Sequence, residues 1–158
     1  MELINRIMTD QSEMEKKQFD ENLMALESGI AAFETKEFAR AYQLLFPLAE
    51  TGNFQAQYRL AIMAQNGLGQ VVNKKEAERW MRTAAELGFD LAQHGLGFMY
   101  MEGDCVEQDD AQAFHWFRLA AEQGLIGAQT TLAQLYEQGR GVEKDLEEAK
   151  RWYAKAGF

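Results

Sequence analysis

The sequence predicts an all-α fold, an α-α superhelix (solenoid) of stacked helical hairpins, and three observations predict it. Trp80, Trp116 and Trp152 recur at an interval of 36 residues, and Ala77, Ala113 and Ala149 keep the same interval. Further columns agree at that spacing: Ala56, Ala92 and Ala128; Gln57, Gln93 and Gln129; Leu60, Leu96 and Leu132; Gly67, Gly103 and Gly139. A period of this length with helical apolar spacing inside it marks a repeat architecture, in which each unit buries its faces only against its neighbours.

Within one unit, Ala92, Leu96 and Tyr100 fall at i, i+4 and i+8, and Ala113, Trp116, Phe117 and Ala120 repeat the pattern further on, so the unit holds two helices. The first, helix A, runs near Ala92 to Glu102, and the second, helix B, near Asp110 to Gln123. Gly67, Gly103 and Gly139 follow the A helices, and Gly52, Gly88 and Gly124 follow the B helices, where a left-handed C-terminal residue is cheap for glycine. Asn73, Asp109 and Asp145 are followed three residues later by Glu76, Gln112 and Glu148, the pattern of a capping box at the start of helix B.

In chain order these signals give an N-terminal arm over 1–17, an opening unit over 18–55, and three units of the 36-residue period over 56–91, 92–127 and 128–158, all in one repeat domain. In the arm, Leu3, Ile4, Ile7 and Met8 make an apolar stripe, and Thr9-Asp10-Gln11-Ser12 supplies stop and start signals, so a short separate docking helix is expected there. The favoured use of that helix is to cap the first hairpin over Phe19 and Leu23; reaching the groove or a neighbouring molecule are the alternatives. Residues 1–38 carry nine acidic against four basic side chains, which makes this the acidic end of the chain.

The units read A-x3-L-[GA]-x2-Y-x2-G in helix A, G-V-x2-D in the loop and A-x2-W-[YF]-x2-A-A-E-x-G in helix B. They resemble the Sel-1-like repeat family, bacterial and eukaryotic relatives of the tetratricopeptide repeats. Ala92 to Gly124 and Ala128 to Gly157 match well, and Ala56 to Gly88 matches with Ala64 in place of the tyrosine. Gly29, Phe38, Ala41, Leu45 and Gly52 resemble a shorter, tetratricopeptide-like opening unit. The resemblance implies a right-handed superhelix whose hollow face is lined by A helices and binds proteins, with no reaction attached. Two departures stand out. Cys105 occupies the place of Gly69 and Gly141, so its loop is expected to bend differently, and the last helix stops at Phe158 with no capping helix beyond it.

Composition narrows the function. With 25 acidic and 16 basic residues among 158, the net charge of -9 repels phosphate backbones and anionic membranes, which argues against nucleic-acid or membrane partners. The single cysteine excludes an internal disulfide and is too few for a zinc ribbon, and the absence of a signal-like or spanning segment suggests the cytoplasm. His94 and His115, the two histidines, share no evident site. The acidic run from Glu102 to Asp110 lacks the alternating spacing and central glycine of a calcium loop. Cys105 among those carboxylates is not set up as a thiolate. No nucleophile elbow, phosphate loop or catalytic triad is evident. The chain therefore reads as a non-enzyme with no cofactor and no metal.

By the tetratricopeptide alignment, positions two before the L-[GA] leucine and two, five and six after it face the hollow. They are Leu26, Ile30, Phe33 and Glu34; then Tyr58, Ile62, Gln65 and Asn66; then His94, Phe98, Met101 and Glu102; then Thr130, Gln134, Glu137 and Gln138. The resemblance implies a groove, apolar at its N-terminal half and polar toward its C-terminal end, for a peptide with aliphatic or aromatic anchors and a basic part. Leu26, Ile30 and Phe33 could instead be covered by the arm. The function expected is a scaffold, adaptor or regulatory binding subunit. The alternative is a structural protein that self-assembles end to end through its uncapped last unit.

Overall fold

The computed structural model describes the backbone of residues 1–158 and every side chain except those of Glu2 and Asn5. Eight helices and no strands occur among the described residues: α1 (Glu2–Glu34), α2 (Phe38–Glu50), α3 (Phe54–Asn66), α4 (Lys74–Glu86), α5 (Asp90–Glu102), α6 (Asp110–Glu122), α7 (Ile126–Gln138) and α8 (Leu146–Ala156). Successive helices pair into four hairpins, and each hairpin packs its B helix on the A helix of the next, the stacked arrangement expected of a solenoid.

Small side chains make that stacking close. Ala41, Ala56, Ala77, Ala92, Ala113 and Ala128 are fully buried, and Trp80, Trp116 and Trp152 lie in the core behind them. Gly97 is required for the same reason, because a Cβ there would lie 2.9 Å from the Phe117 ring. Between hairpins the recurring glutamines do a job that their spacing alone does not disclose. The buried Gln57, Gln93 and Gln129 donate through Nε2 to the carbonyls of Ala49, Ala85 and Ala121, at 3.0, 3.2 and 3.2 Å. Each ties the start of an A helix to the end of the preceding B helix, satisfying a polar group that burial would otherwise penalise.

The hairpin ends follow the predicted chemistry with one change. Gly67, Gly103 and Gly139 close the A helices in the left-handed region, at φ of 66, 68 and 67°. Asn73, Asp109 and Asp145 each cap a B helix by accepting from the backbone N–H of the third residue on. The capping box is not reciprocal, however. The backbone N–H groups of Asn73, Asp109 and Asp145 donate to the carbonyls of Ala64, Tyr100 and Tyr136 instead, at 2.8, 3.0 and 2.9 Å. The A helix of the same hairpin therefore takes the bond that the capping-box side chain would otherwise make.

Two expectations are corrected. Cys105 does not bend its loop differently: its φ of 67° matches the 68 and 71° of Gly69 and Gly141, so a residue with a Cβ holds a left-handed turn that costs roughly 1–2 kcal/mol. Glycine is needed at 141, where a Cβ would meet the Asp110 carbonyl oxygen.

The second correction concerns the arm. No break occurs at Thr9–Ser12, and residues 2–34 form one helix that does not fold back as a cap. Every described side chain before Ala25 is exposed, Phe19 and Leu23 included. Each added residue of a helix gains a backbone hydrogen bond, and no tertiary contact here compels a break, so Ser12 and Asp10 stay helical.

Candidate functional site

The A-helix face carries the predicted groove residues in a mixed state of exposure. Leu26, Ile30 and Phe33 on α1 are half-buried and Glu34 is exposed. Phe33 packs edge-on against Phe38, with ring centroids 5.9 Å apart, and the Arg59 guanidinium lies 5.9 Å over its ring. The arm does not cover these residues.

On α3, Tyr58 and Ile62 are half-buried and Asn66 is exposed. Tyr58 meets the Phe89 ring edge-on at 5.4 Å, and Phe89, the N-cap residue of α5, also contacts Phe54 at 5.0 Å. Burial raises the Tyr58 phenol above its ordinary range. Gln65 is already engaged, since its Nε2 donates to Asp104 Oδ2 at 2.8 Å, and Lys74 Nζ binds the other carboxylate oxygen at 3.0 Å. The Gln65 amide and the Lys74 ammonium hold the Asp104 carboxyl below its usual range. Asn66 turns back on its own helix, donating to the Ile62 carbonyl.

On α5, His94 and Phe98 form an aromatic group with Phe117: centroids are 4.8 Å apart for His94 and Phe98, 5.5 Å for His94 and Phe117, and 5.0 Å for Phe98 and Phe117. The His94 Nε2 is buried with no hydrogen-bond partner, and burial pushes its pKa down against the opposing pull of Asp90, which favours the neutral ring. Phe98 keeps 38% of its surface exposed. The Met101 carbonyl accepts from Arg140 Nη2 at 2.8 Å, while Glu102 stands free in solvent. Arg140 also pairs with Asp110 at 2.9 Å. The charges of the Lys74–Asp104 pair thus recur one unit on with their signs exchanged.

On α7, Thr130 is half-buried and donates to the Ile126 carbonyl; Gln134, Glu137 and Gln138 are exposed, and Glu137 accepts from the Tyr153 hydroxyl at 3.2 Å. Tyr58 and Phe98 both have intramolecular ring partners, so their spacing is served by packing as well as by display.

Arg59 is the residue that sequence reasoning missed. It is half-buried on α3 beside Phe33, and burial lowers its guanidinium pKa while Glu34 opposes the shift. Its repeat column holds Gly95 and Thr131, so periodicity offered no signal. Phe89 was legible in principle, because it and Leu125 are apolar where Asn53 caps α3.

Elsewhere, a cleft of about 530 Å³ is lined by Glu78, Arg82, Tyr100 and the loop from Val106 to Asp109. Arg82 there donates to Glu78 and to the Tyr100 hydroxyl, both at 2.8 Å, which leaves its charge compensated. Burial, with Asp104 beside it, raises the Cys105 thiol pKa. Among the described residues, no group of three or more His, Cys, Asp or Glu is placed to hold a metal, and no helix is long and apolar enough to cross a membrane.

The comparisons with known proteins bear on the family and the fold. The Sel1 repeat model matches residues 54–89, 90–125 and 126–157. A Sel1 repeat protein from Oxalobacter formigenes is 32% identical with a TM-score of 0.78, over 82% of this chain and 53% of that one. The protein c5321, a protective antigen in uropathogenic Escherichia coli strains that displays an SLR fold, is 36% identical with a TM-score of 0.82, over 90% of this chain and 32% of that one. The chain therefore spans about half the length of the first and a third of the second. Helicobacter pylori cysteine rich protein B, 22% identical with a TM-score of 0.60 over 76% of this chain and 86% of that one, shares the fold. No curated protein matches the chain.

Proposed function

The chain belongs to the Sel1 repeat family, and on that premise we propose that it is a non-enzymatic scaffold, adaptor or regulatory binding subunit that holds a protein segment along its A helices. Repeats of this family are generally protein–protein interaction modules. The observation that carries the reading is the ordered row of accessible apolar side chains, Ile30, Tyr58, Ile62 and Phe98, ending in the exposed carboxylates Glu102 and Glu137. Aliphatic or aromatic anchors of a ligand seat on the first part, and its basic residues meet the second. The free Cys105 and the negative charge favour a reducing, cytoplasmic setting and a protein partner over nucleic acid.

End-to-end stacking has less support. The α1 positions equivalent to the buried columns Ala56, Leu60 and Met63 are Met24, Ser28 and Ala31, all exposed. The outer face of α1 therefore lacks the leucine that every later A helix sets against the unit before it.

The test is a peptide-array screen with the intact chain, followed by binding isotherms for Phe98→Ala and for Glu102→Lys combined with Glu137→Lys. Phe98→Ala weakens binding by over about 1 kcal/mol with the fold retained, as expected of an anchor contact. The charge reversal abolishes the preference for basic segments. Unchanged binding in both variants rejects the groove.

A further inference from the structure

The side of α1 that faces the hollow does not stop where the later A helices begin. At about 100° per residue, Phe19, Leu23, Leu26, Ile30 and Phe33 fall within about 80° of one another, on one face of the helix. By the alignment that equates Leu26 with Tyr58, Asn22 is the counterpart of Phe54, the first residue of α3, so Phe19 stands about one turn beyond the start of any later A helix. Phe19 and Leu23 are 68 and 45% exposed, and with Leu26, Leu48 and the turn from Thr51 to Asn53 they line a cleft of about 320 Å³.

The repeat itself shows what sits at this place in a later unit. Asn53, Phe89 and Leu125 share one column, the N-cap of an A helix. Asn53 folds its side chain into the cap, its Oδ1 accepting from the Ala56 N–H at 2.9 Å. Phe89 and Leu125 make no side-chain cap bond and are half-buried instead. The Phe89 ring lies against Phe54 and Tyr58, at 5.0 and 5.4 Å, and these are the counterparts of Asn22 and Leu26. In the first unit the cap is made and the ring is forgone, while Phe19, Leu23, Leu26 and Leu48 keep the walls apolar. Charge narrows the ligand further. Between Glu13 and Glu27, α1 carries five acidic and two basic side chains, and the exposed Glu50 ends α2 beside the cleft, a field that attracts cations and repels anions.

We propose that the cleft is the socket for one leucine or phenylalanine side chain of the protein segment held along the A helices, with basic residues next to that anchor. The ligand's side chain does here what Phe89 does one unit on. Leu26 belongs to both the cleft and the hollow, so the two surfaces are continuous. The inference rests on the hollow being the binding face and adds the place of an anchor outside the positions that the alignment selects.

Amide NMR titration of the isotope-labelled full chain with L-phenylalaninamide, a cation carrying one ring, tests it. Saturable shifts are expected at Leu23, Leu26, Gly52 and Asn53, and L-alaninamide binds at least about tenfold more weakly for want of the ring. N-acetyl-L-phenylalanine, the same ring with a negative charge, binds more weakly than the cation. Asn53→Phe, which supplies a ring as Phe89 does, and Leu23→Gln, which makes one wall polar, each weaken phenylalaninamide binding at least about fivefold. Phe98→Ala leaves it unchanged, and circular dichroism checks that the helices of all three variants are intact. The absence of saturable shifts, shifts centred on Tyr58 and Phe98 instead, or undiminished binding to Asn53→Phe and Leu23→Gln overturns the socket. An anion that binds as tightly as the cation overturns the basic neighbours of the anchor. Failure of the groove reads differently: phenylalaninamide still saturates the cleft, while array peptides bind Phe98→Ala and the double charge reversal as they bind the wild type.

Discussion

The three 36-residue hairpins and the N-terminal half of α1 are both helical, but different forces hold them. Each hairpin helix is 11 or 13 residues long, short enough to be marginal alone. Its stability comes from tertiary contacts: buried alanine columns, a core tryptophan, and a glutamine tied to the preceding helix. The N-terminal half of α1 has no side-chain cap and no buried side chain among those described, and rests on backbone hydrogen bonds and helix propensity. The contrast teaches that helix content alone does not measure how strongly a region is held.

The comparison breaks most visibly under deletion. Trp116→Ala removes a core ring and is expected to lower unfolding free energy by roughly 3–5 kcal/mol in urea titrations. Truncation of residues 1–18, which removes more atoms, is expected to change it by less than about 0.5 kcal/mol when measured at monomer concentrations. Equal effects would mean that the arm packs on the solenoid after all.

A subtler contrast lies among the inter-hairpin glutamines. Gln93 is satisfied at both ends, donating to Ala85 and accepting from Gln123 at 2.8 Å, whereas the Oε1 atoms of Gln57 and Gln129 have no partner. Gln93→Ala should therefore cost about 2 kcal/mol and Gln129→Ala about 1 kcal/mol. Denaturant midpoints compared at constant slope decide it, and the reverse order would show that the Gln123 contact is incidental.

The smallest expected effect is a pH dependence confined to one ring. Because burial depresses the folded-state pKa of His94, the folded protein binds its proton less readily than the unfolded chain. The His94 contribution is present in full above the unfolded pKa of about 6.5 and is lost as pH falls from there through the folded pKa. Thermal melts of wild type and His94→Leu between pH 7 and pH 5 should diverge in slope, the wild type declining more steeply. Parallel slopes would place the ring in solvent.

Much of the fold was legible because it is written in local or strictly periodic terms. A 36-residue interval, helical apolar spacing, glycines at left-handed ends and Asn or Asp at helix starts each act within a few residues, so composition and spacing suffice to locate four hairpins. The candidate site was legible only as a list of positions. Gln65 is taken up by Asp104, Tyr58 and His94 are half-buried on Phe89 and Phe117, and Arg59 enters from a column with no aromatic or charged counterpart.

What the sequence by itself determined, then, is the repeat, its period and the ends of its helices. Tertiary structure alone decided where the cap N–H groups donate, what the recurring glutamines bind, and that Cys105 holds a glycine's turn. The physical reason is range. Caps and turns compare energies within one segment, whereas these outcomes depend on which distant backbone or side chain competes for the same group, and that competitor exists only once the hairpins are stacked.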